Sequence, residues 1–265
     1  MRMASEWTDA IERARENAPF LARSLDRLPA LAELLSQGDA DAAFEYAARA
    51  GEGAETGVAL RRERLALALT LAIGDLAGAF TLDDVMQRLS AFADIALDRA
   101  IAEAARARTT LESVDGFFAL ALGKHGAGEL NYSSDIDPIL LFDPDVLASG
   151  ARSGPGETAQ RMARDIVRLL ADHTEEGYVF RVDLRLRPAA EITPLAVSVN
   201  AAATHYESAA LAWERAAFIR ARSAAGDVVR GENFLASIRP FVWRRSVDFG
   251  AIDDIAQLRL RIREA

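Results

Sequence analysis

The chain has 265 residues, 51% of them apolar and 27% charged, so it is long and apolar enough to bury a substantial core. It holds no cysteine, which excludes disulfides, thiolate metal sites and a cysteine nucleophile. A net charge of −9, with three histidines at no metal-ligand spacing, argues against a long nucleic-acid partner and against hydrolytic zinc chemistry.

The N-terminus, MRMASEWTDAIERAREN, is charged and lacks the apolar core of a secretory signal. No uncharged apolar run reaches the roughly 20 residues needed to span a bilayer. A cytoplasmic protein without a membrane partner is expected.

Residues 1 to about 113 read as helix throughout. Ser5 is expected to cap a first helix carrying Trp7, Ile11 and Ala14. Leu21, Leu25, Leu28, Leu31 and Leu34 follow at helical spacing, with Pro29 dividing two short helices. GEGAETG at 51–57 has the wrong glycine spacing for a phosphate loop and reads as a helix-to-helix linker. A strongly apolar helix follows over 56–74. Thr81, with Asp84 three residues on, opens a long helix whose apolar positions include Val85, Leu89, Phe92, Ile95 and Leu97.

The pattern changes at residue 114. FFALAL (117–122) and IDPILLF (136–142) have strand length, and a helix is expected over about 157–173. YVFRVDLRLRP (178–188) alternates and reads as a third strand stopped by Pro188. From about 200 the chain reads as helix again, and it stops at RLRIREA without a helix-stop signal, which suggests a partial chain. The expected class is α+β and mostly helical. Helical residues 1–113 and 200–265 flank an α/β core at 114–199.

The chemistry is concentrated in GKHGAGELNYSSDID, residues 123–137. Gly123, Gly126 and Gly128 permit a tight backbone that approaches a ligand. Lys124 is the sole lysine among 31 basic residues. Ser133 and Ser134 add hydroxyls. Asp135 and Asp137 are two apart at a strand start, so both face one side. Neighbouring carboxylates repel unless a cation shares them, and Mg²⁺ takes such ligands together with phosphate oxygens; a bare pair also suits solvated turn residues. On the third strand Asp183, Arg185 and Arg187 are expected to share one face, adding a third carboxylate and two cations that could hold phosphate; the same alternation also suits a surface strand with a salt-bridged face. Glycine loop, paired aspartates and a third strand-borne aspartate together describe a nucleotidyltransferase site.

GKHGAGELNYSSDID, YVFRVDLRLRP and WERAAFIRAR (213–222), in this order and spacing, resemble the bifunctional glutamine synthetase adenylyltransferase/adenylyl-removing enzyme family, within the DNA-polymerase-β-like nucleotidyltransferases. The resemblance is strong over about residues 114–225. It implies a small polymerase-β-like sheet flanked by helices. It also implies that Asp135, Asp137 and Asp183 hold Mg²⁺ or Mn²⁺ and act in catalysis. Gly123, Lys124, Gly126, Ser133, Ser134, Arg185 and Arg187 would bind phosphate or nucleotide.

Family members hold two related domains. ELNYSSDID, Trp213-Glu214-Arg215 and the methionine start resemble the N-terminal, adenylyl-removing one. That implies phosphorolysis of adenylyl-tyrosine on glutamine synthetase, giving ADP. An ATP-using adenylyltransferase, and an inactive partial domain that only binds glutamine synthetase or a nitrogen-signalling regulatory protein, are the alternatives. Glu214, Arg215 and Arg222 are expected on one helix, contacting substrate or buttressing the core. Trp213 and Phe218 are expected to pack inward. The sequence departs from the family at His125, read as a surface-loop residue, at Ala127, and at Pro138, which suits an edge, a bulge or a first strand residue.

Overall fold

Proline places the first helix breaks. In the computed structural model, which describes residues 2–109, 113–149, 153–243 and 256, α1 (Arg2–Asn17) is followed by α2 (Pro19–Arg27) and α3 (Pro29–Ser36). Pro19 and Pro29 each occupy a first helical turn, where the missing N–H has no partner to lose. Ser5 lies within α1 rather than capping it, because the helix already begins at Arg2.

The chain continues through α4 (Ala40–Arg49), α5 (Thr56–Leu76) and α6 (Leu82–Arg108). Residues 51–55 are the expected linker between α4 and α5. At the start of α6, Thr81 N–H donates to Asp84 Oδ2 at 2.9 Å and Asp84 N–H donates to Thr81 Oγ1 at 3.2 Å, the reciprocal box expected from sequence. Along α6 the apolar stripe is buried at Val85, Leu89, Phe92 and Leu97, but Ile95 is exposed.

The remaining elements are β1 (Phe117–Ala121), α7 (Gly123–Ala127), β2 (Pro138–Phe142), α8 (Pro155–Ala171), β3 (Ala196–Ser198), α9 (Val199–Ser208), α10 (Ala212–Phe218), β4 (Arg222–Gly226) and α11 (Val228–Val242). The fold is α+β, with one small sheet among many helices. Its strand order is β3-β2-β1-β4. β1 pairs antiparallel with β2 and β4, and β2 pairs parallel with β3. Pro138 is the first residue of β2, one of the positions a strand proline tolerates.

Three sequence expectations change. Residues 178–188 form no named strand; they contribute a single parallel bridge, Val182 to Ile136. The sheet takes β3 instead. The region after 200 is not wholly helical, because β4 returns to pair with β1. The helix expected to carry Glu214, Arg215 and Arg222 ends at Phe218, so Arg222 lies in β4 instead. The tail RLRIREA lies outside the described residues.

Two compact units divide the chain, and they do not follow the boundaries expected at 113/114 and 199/200. The first comprises Met1–Ala96, Gly128–Ser134 and Leu169–Phe180, and the second Leu97–Ala127, Asp135–Arg168 and Arg181–Ala265. In the first unit Trp7, Leu25, Leu31, Leu35, Leu69 and Ile73 form the core. Arg61 of α5 is buried and donates to three carbonyls, of Gly57 (2.7 Å), Gly177 (2.9 Å) and Asp172 (2.7 Å). It thereby ties segment 172–177 to its helix. In the second unit alternate residues of β1 and β2, including Phe118, Leu120, Ile139 and Leu141, pack with Tyr206, Phe218, Phe234 and Ile238 from the helices. Each such large side chain contributes roughly 1.5–3 kcal/mol by leaving water.

Candidate active site

The site is built where the chain enters β2. Ile136 N–H donates to Arg181 O at 3.0 Å and Asp183 N–H donates to Ile136 O at 2.9 Å. This register sets Asp135 beside Arg181 and Asp137 beside Asp183 on the face opposite the buried Ile136. The three expected aspartates therefore share one face, although only one bridge of the expected third strand forms.

Their side chains are not gathered into a ready metal cradle. Among the described residues, no group of three or more His, Asp or Glu side chains stands close enough to hold a metal ion. The reason is local pairing. Arg181 Nε donates to Asp135 Oδ1. Arg185 takes Asp183 through its backbone N–H (2.9 Å) and through Nε (2.7 Å to Oδ2). Those bonds from Arg185 hold the Asp183 carboxyl below its usual range. Among the described residues, no arginine bonds Asp137 in this way. Burial, reinforced by the charges of Asp183 and Asp135, pushes its carboxyl up to about 6. The three carboxylates thus act on one another electrically, and two arginines neutralise only part of their charge.

The glycine segment 123–127 is a short helical turn rather than an open loop. Gly123 has φ +56° and Gly126 is crowded by backbone: a Cβ there would lie 2.3 Å from Arg220 O and 2.6 Å from Ala121 O. Lys124 is exposed, as a phosphate ligand requires. His125 corrects the surface-loop expectation. It is fully buried, and its carbonyl accepts from Arg222 at 3.3 Å. Nothing in the local sequence marked it as inward; the turn of α7 turns it there.

Ser133 and Ser134 belong to the first unit, where they shape a turn around Asn131. Ser134 Oγ donates to Asn131 Oδ1 at 2.9 Å, and Ser133 N–H donates to the same oxygen at 3.2 Å. Arg187 is not on the carboxylate face. Its guanidinium donates to the carbonyls of Leu184, Ala190, Thr193 and Pro194, stapling the loop. Arg185 remains 86% exposed in its side chain beside Asp183.

The Trp213-Glu214-Arg215 segment buttresses the second unit. Glu214 is buried, accepts from Leu211 N–H at 2.7 Å and pairs with His205 Nε2 at 2.7 Å. Arg215 lies over the Phe241 ring, 5.6 Å from its centroid. Phe218 packs inward as expected, and Trp213 is half-buried.

No described helix is long and apolar enough to cross a membrane. The family model for glutamate-ammonia ligase adenylyltransferase matches residues 9–237. A bifunctional glutamine synthetase adenylyltransferase/adenylyl-removing enzyme of Caulobacter vibrioides is 43% identical over 265 residues, 94% of this chain and 26% of that protein. Proteins of the same name are 43% identical in Xanthobacter autotrophicus, over 82% of this chain and 23% of that protein, and 40% identical in a Bradyrhizobium species, over 94% and 27%. The chain spans about a quarter of the length of these relatives. With the paired aspartates at the head of β2 and a family match over most of its length, the chain belongs to the glutamate-ammonia ligase adenylyltransferase family.

Proposed function

We propose that this chain is an adenylyl-removing domain, acting on adenylyl-tyrosine of glutamine synthetase by phosphorolysis. The observation that carries the reading is the Ile136–Val182 bridge, which sets Asp137 and Asp183 side by side next to Asp135. The Trp213-Glu214-Arg215 motif supports removal over addition of AMP.

In this reaction an oxygen of inorganic phosphate attacks the AMP phosphorus. The bond from that phosphorus to the tyrosine oxygen breaks, ADP leaves, and the tyrosine oxygen takes up a proton. Asp135, Asp137 and Asp183 would hold Mg²⁺ or Mn²⁺, which when bound neutralises charge on the attacking and leaving oxygens. The donor set suits that ion: three oxygen-bearing groups whose mutual repulsion already raises one of them. Arg181 and Arg185 compensate the carboxylates while no cation does, and must release them when one binds. Arg185, exposed on its outer side, then becomes the cation for the phosphate dianion, together with Lys124.

The test is incubation of adenylylated glutamine synthetase with phosphate and Mg²⁺, using this chain and a version extended past residue 265. ADP and unmodified tyrosine are the expected products. ATP consumption with pyrophosphate release would replace the reading with adenylyl transfer. Binding of glutamine synthetase, or of a nitrogen-signalling regulatory protein, without turnover by either version would leave a binding module.

A further inference from the structure

The first compact unit encloses a cavity of about 510 Å³, within the size range of small-molecule sites. All its lining comes from that unit and includes Ser134, while none of Lys124, Asp135, Asp137 or Asp183 takes part. The walls are Leu21, Leu65, Ala68, Ala72, Val179 and Phe180, with exposed Phe20, Leu76 and Tyr132 at the rim.

The charged groups on this lining have distinct fates. Arg61 is spent on three carbonyls, and Glu176 pairs with Arg27 and Arg62. Asp75, at the exposed edge, accepts from the Tyr132 hydroxyl. Arg64 differs. Its guanidinium makes one hydrogen bond, 3.0 Å to Tyr132 O, and lies 5.2 Å from the centre of the Phe180 ring. Its Nε is sealed from solvent without an acceptor, and among the described residues no carboxylate pairs with it. Burial pulls its pKa below the ordinary value. A half-buried cation with its Nε sealed and without a counter-charge among the described residues is relieved by an anion.

We infer that this cavity is a binding site for a small monocarboxylate with an aromatic or branched apolar body, its carboxylate on Arg64 and its body against Leu65, Ala68, Ala72 and Phe180. The apolar walls accept the body, and one available cation matches one negative charge. Asp75 and Glu176 on the same lining disfavour phosphates and nucleotides. The site is separate from the phosphorolysis reading and does not depend on it.

The probes are 3-phenylpropanoate and its neutral isostere 3-phenylpropanol, titrated calorimetrically into this chain, with inorganic phosphate and AMP as competitors. The acid should bind and should slow amide exchange in residues 61–76 and 176–180. Arg64→Gln should weaken the acid roughly tenfold or more while leaving the alcohol unchanged. Ala72→Phe, which fills the cavity without touching the charge, should abolish both, and it decides the matter if Arg64→Gln fails to fold. No binding of the acid at millimolar concentration, binding indifferent to both substitutions, or displacement by phosphate or AMP would overturn the proposal.

Discussion

The Asp137 carboxyl lies against the α-carbon of Gly123: a Cβ built on that glycine would come 2.8 Å from Asp137 Oδ2. Gly123 also sits at φ +56°, where a side chain costs about 1–2 kcal/mol. Gly123→Ala should therefore push the carboxyl out of position. A displacement near 1 Å is enough to lower turnover roughly 100-fold. The assay is deadenylylation at saturating substrate, with circular dichroism to confirm the fold. Full turnover by a folded Gly123→Ala chain would separate this contact from catalysis.

Asp137→Asn should act in opposite directions on stability and on metal binding. With its carboxyl raised from 3.8 to about 6, the folded chain holds a proton that the unfolded chain has lost between those values. Stability from this group is present in full below about pH 4 and disappears as pH rises through about 6. The neutral amide keeps that benefit at all pH. Metal-free Asp137→Asn should then melt higher than the parent near pH 8, by roughly 2–4 °C for each kcal/mol relieved, and equally near pH 4. Mg²⁺ should stabilise the parent near pH 8 but lose that effect as protons compete near pH 6, and it should not stabilise the variant. Lower melting of the metal-free variant near pH 8 would contradict the repulsion on which this rests.

Much of this site was legible because its signals were local. Within the runs at 117–122 and 136–142, FFALA and PILLF are short and continuously apolar, and both are strands buried along their whole length. The Asp-x-Asp pair needed only the strand's two-residue period. The segment 178–188 shows where such reading fails. Its alternation was real, but Asp183 Oδ1 accepts the N–H of Arg185, a side-chain turn that takes the backbone out of an extended path. Arg187 then closes the loop onto its own carbonyls. β4 was missed for the reverse reason. Arg-Ser-Ala-Ala-Gly has no apolar alternation, and it is a strand because β1 offers an edge and Gly226 (φ +75°) fits where a Cβ would meet Phe117 O at 2.3 Å. Such tertiary demands leave no periodic trace.

Glu214→Ala removes the acceptor for both Leu211 N–H and His205 Nε2. Both bonds are part-buried, so losing them costs toward the low end of roughly 1–3 kcal/mol each, and the melting temperature should fall by a few degrees. Glu214→Gln keeps one carbonyl acceptor and should fall less. KM for adenylylated glutamine synthetase should stay unchanged in the fraction that remains folded. A rise in KM with no loss of stability would make Glu214 a substrate contact instead of a buttress.

Arg185 and Arg187 are two residues apart, and the site gives them different work. Arg185 is exposed on its outer side and bound to the Asp183 carboxylate, so in the proposed reaction a cation taking that carboxylate would release it toward solvent. Arg187 spends its donors on four carbonyls between residues 184 and 194. Arg185→Ala should raise the phosphate KM, roughly tenfold for the loss of a charged hydrogen bond to a dianion, with little change in melting temperature. Arg187→Ala should do the reverse. The loop should become sensitive to limited proteolysis and exchange its amides faster, while the phosphate KM in the folded enzyme stays near the parent value. Side-by-side phosphate titrations and proteolysis time courses measure both. If Arg187→Ala raised the phosphate KM without loosening the loop, the guanidinium would have to leave its carbonyls during turnover, and the division of labour argued from the structure would fall.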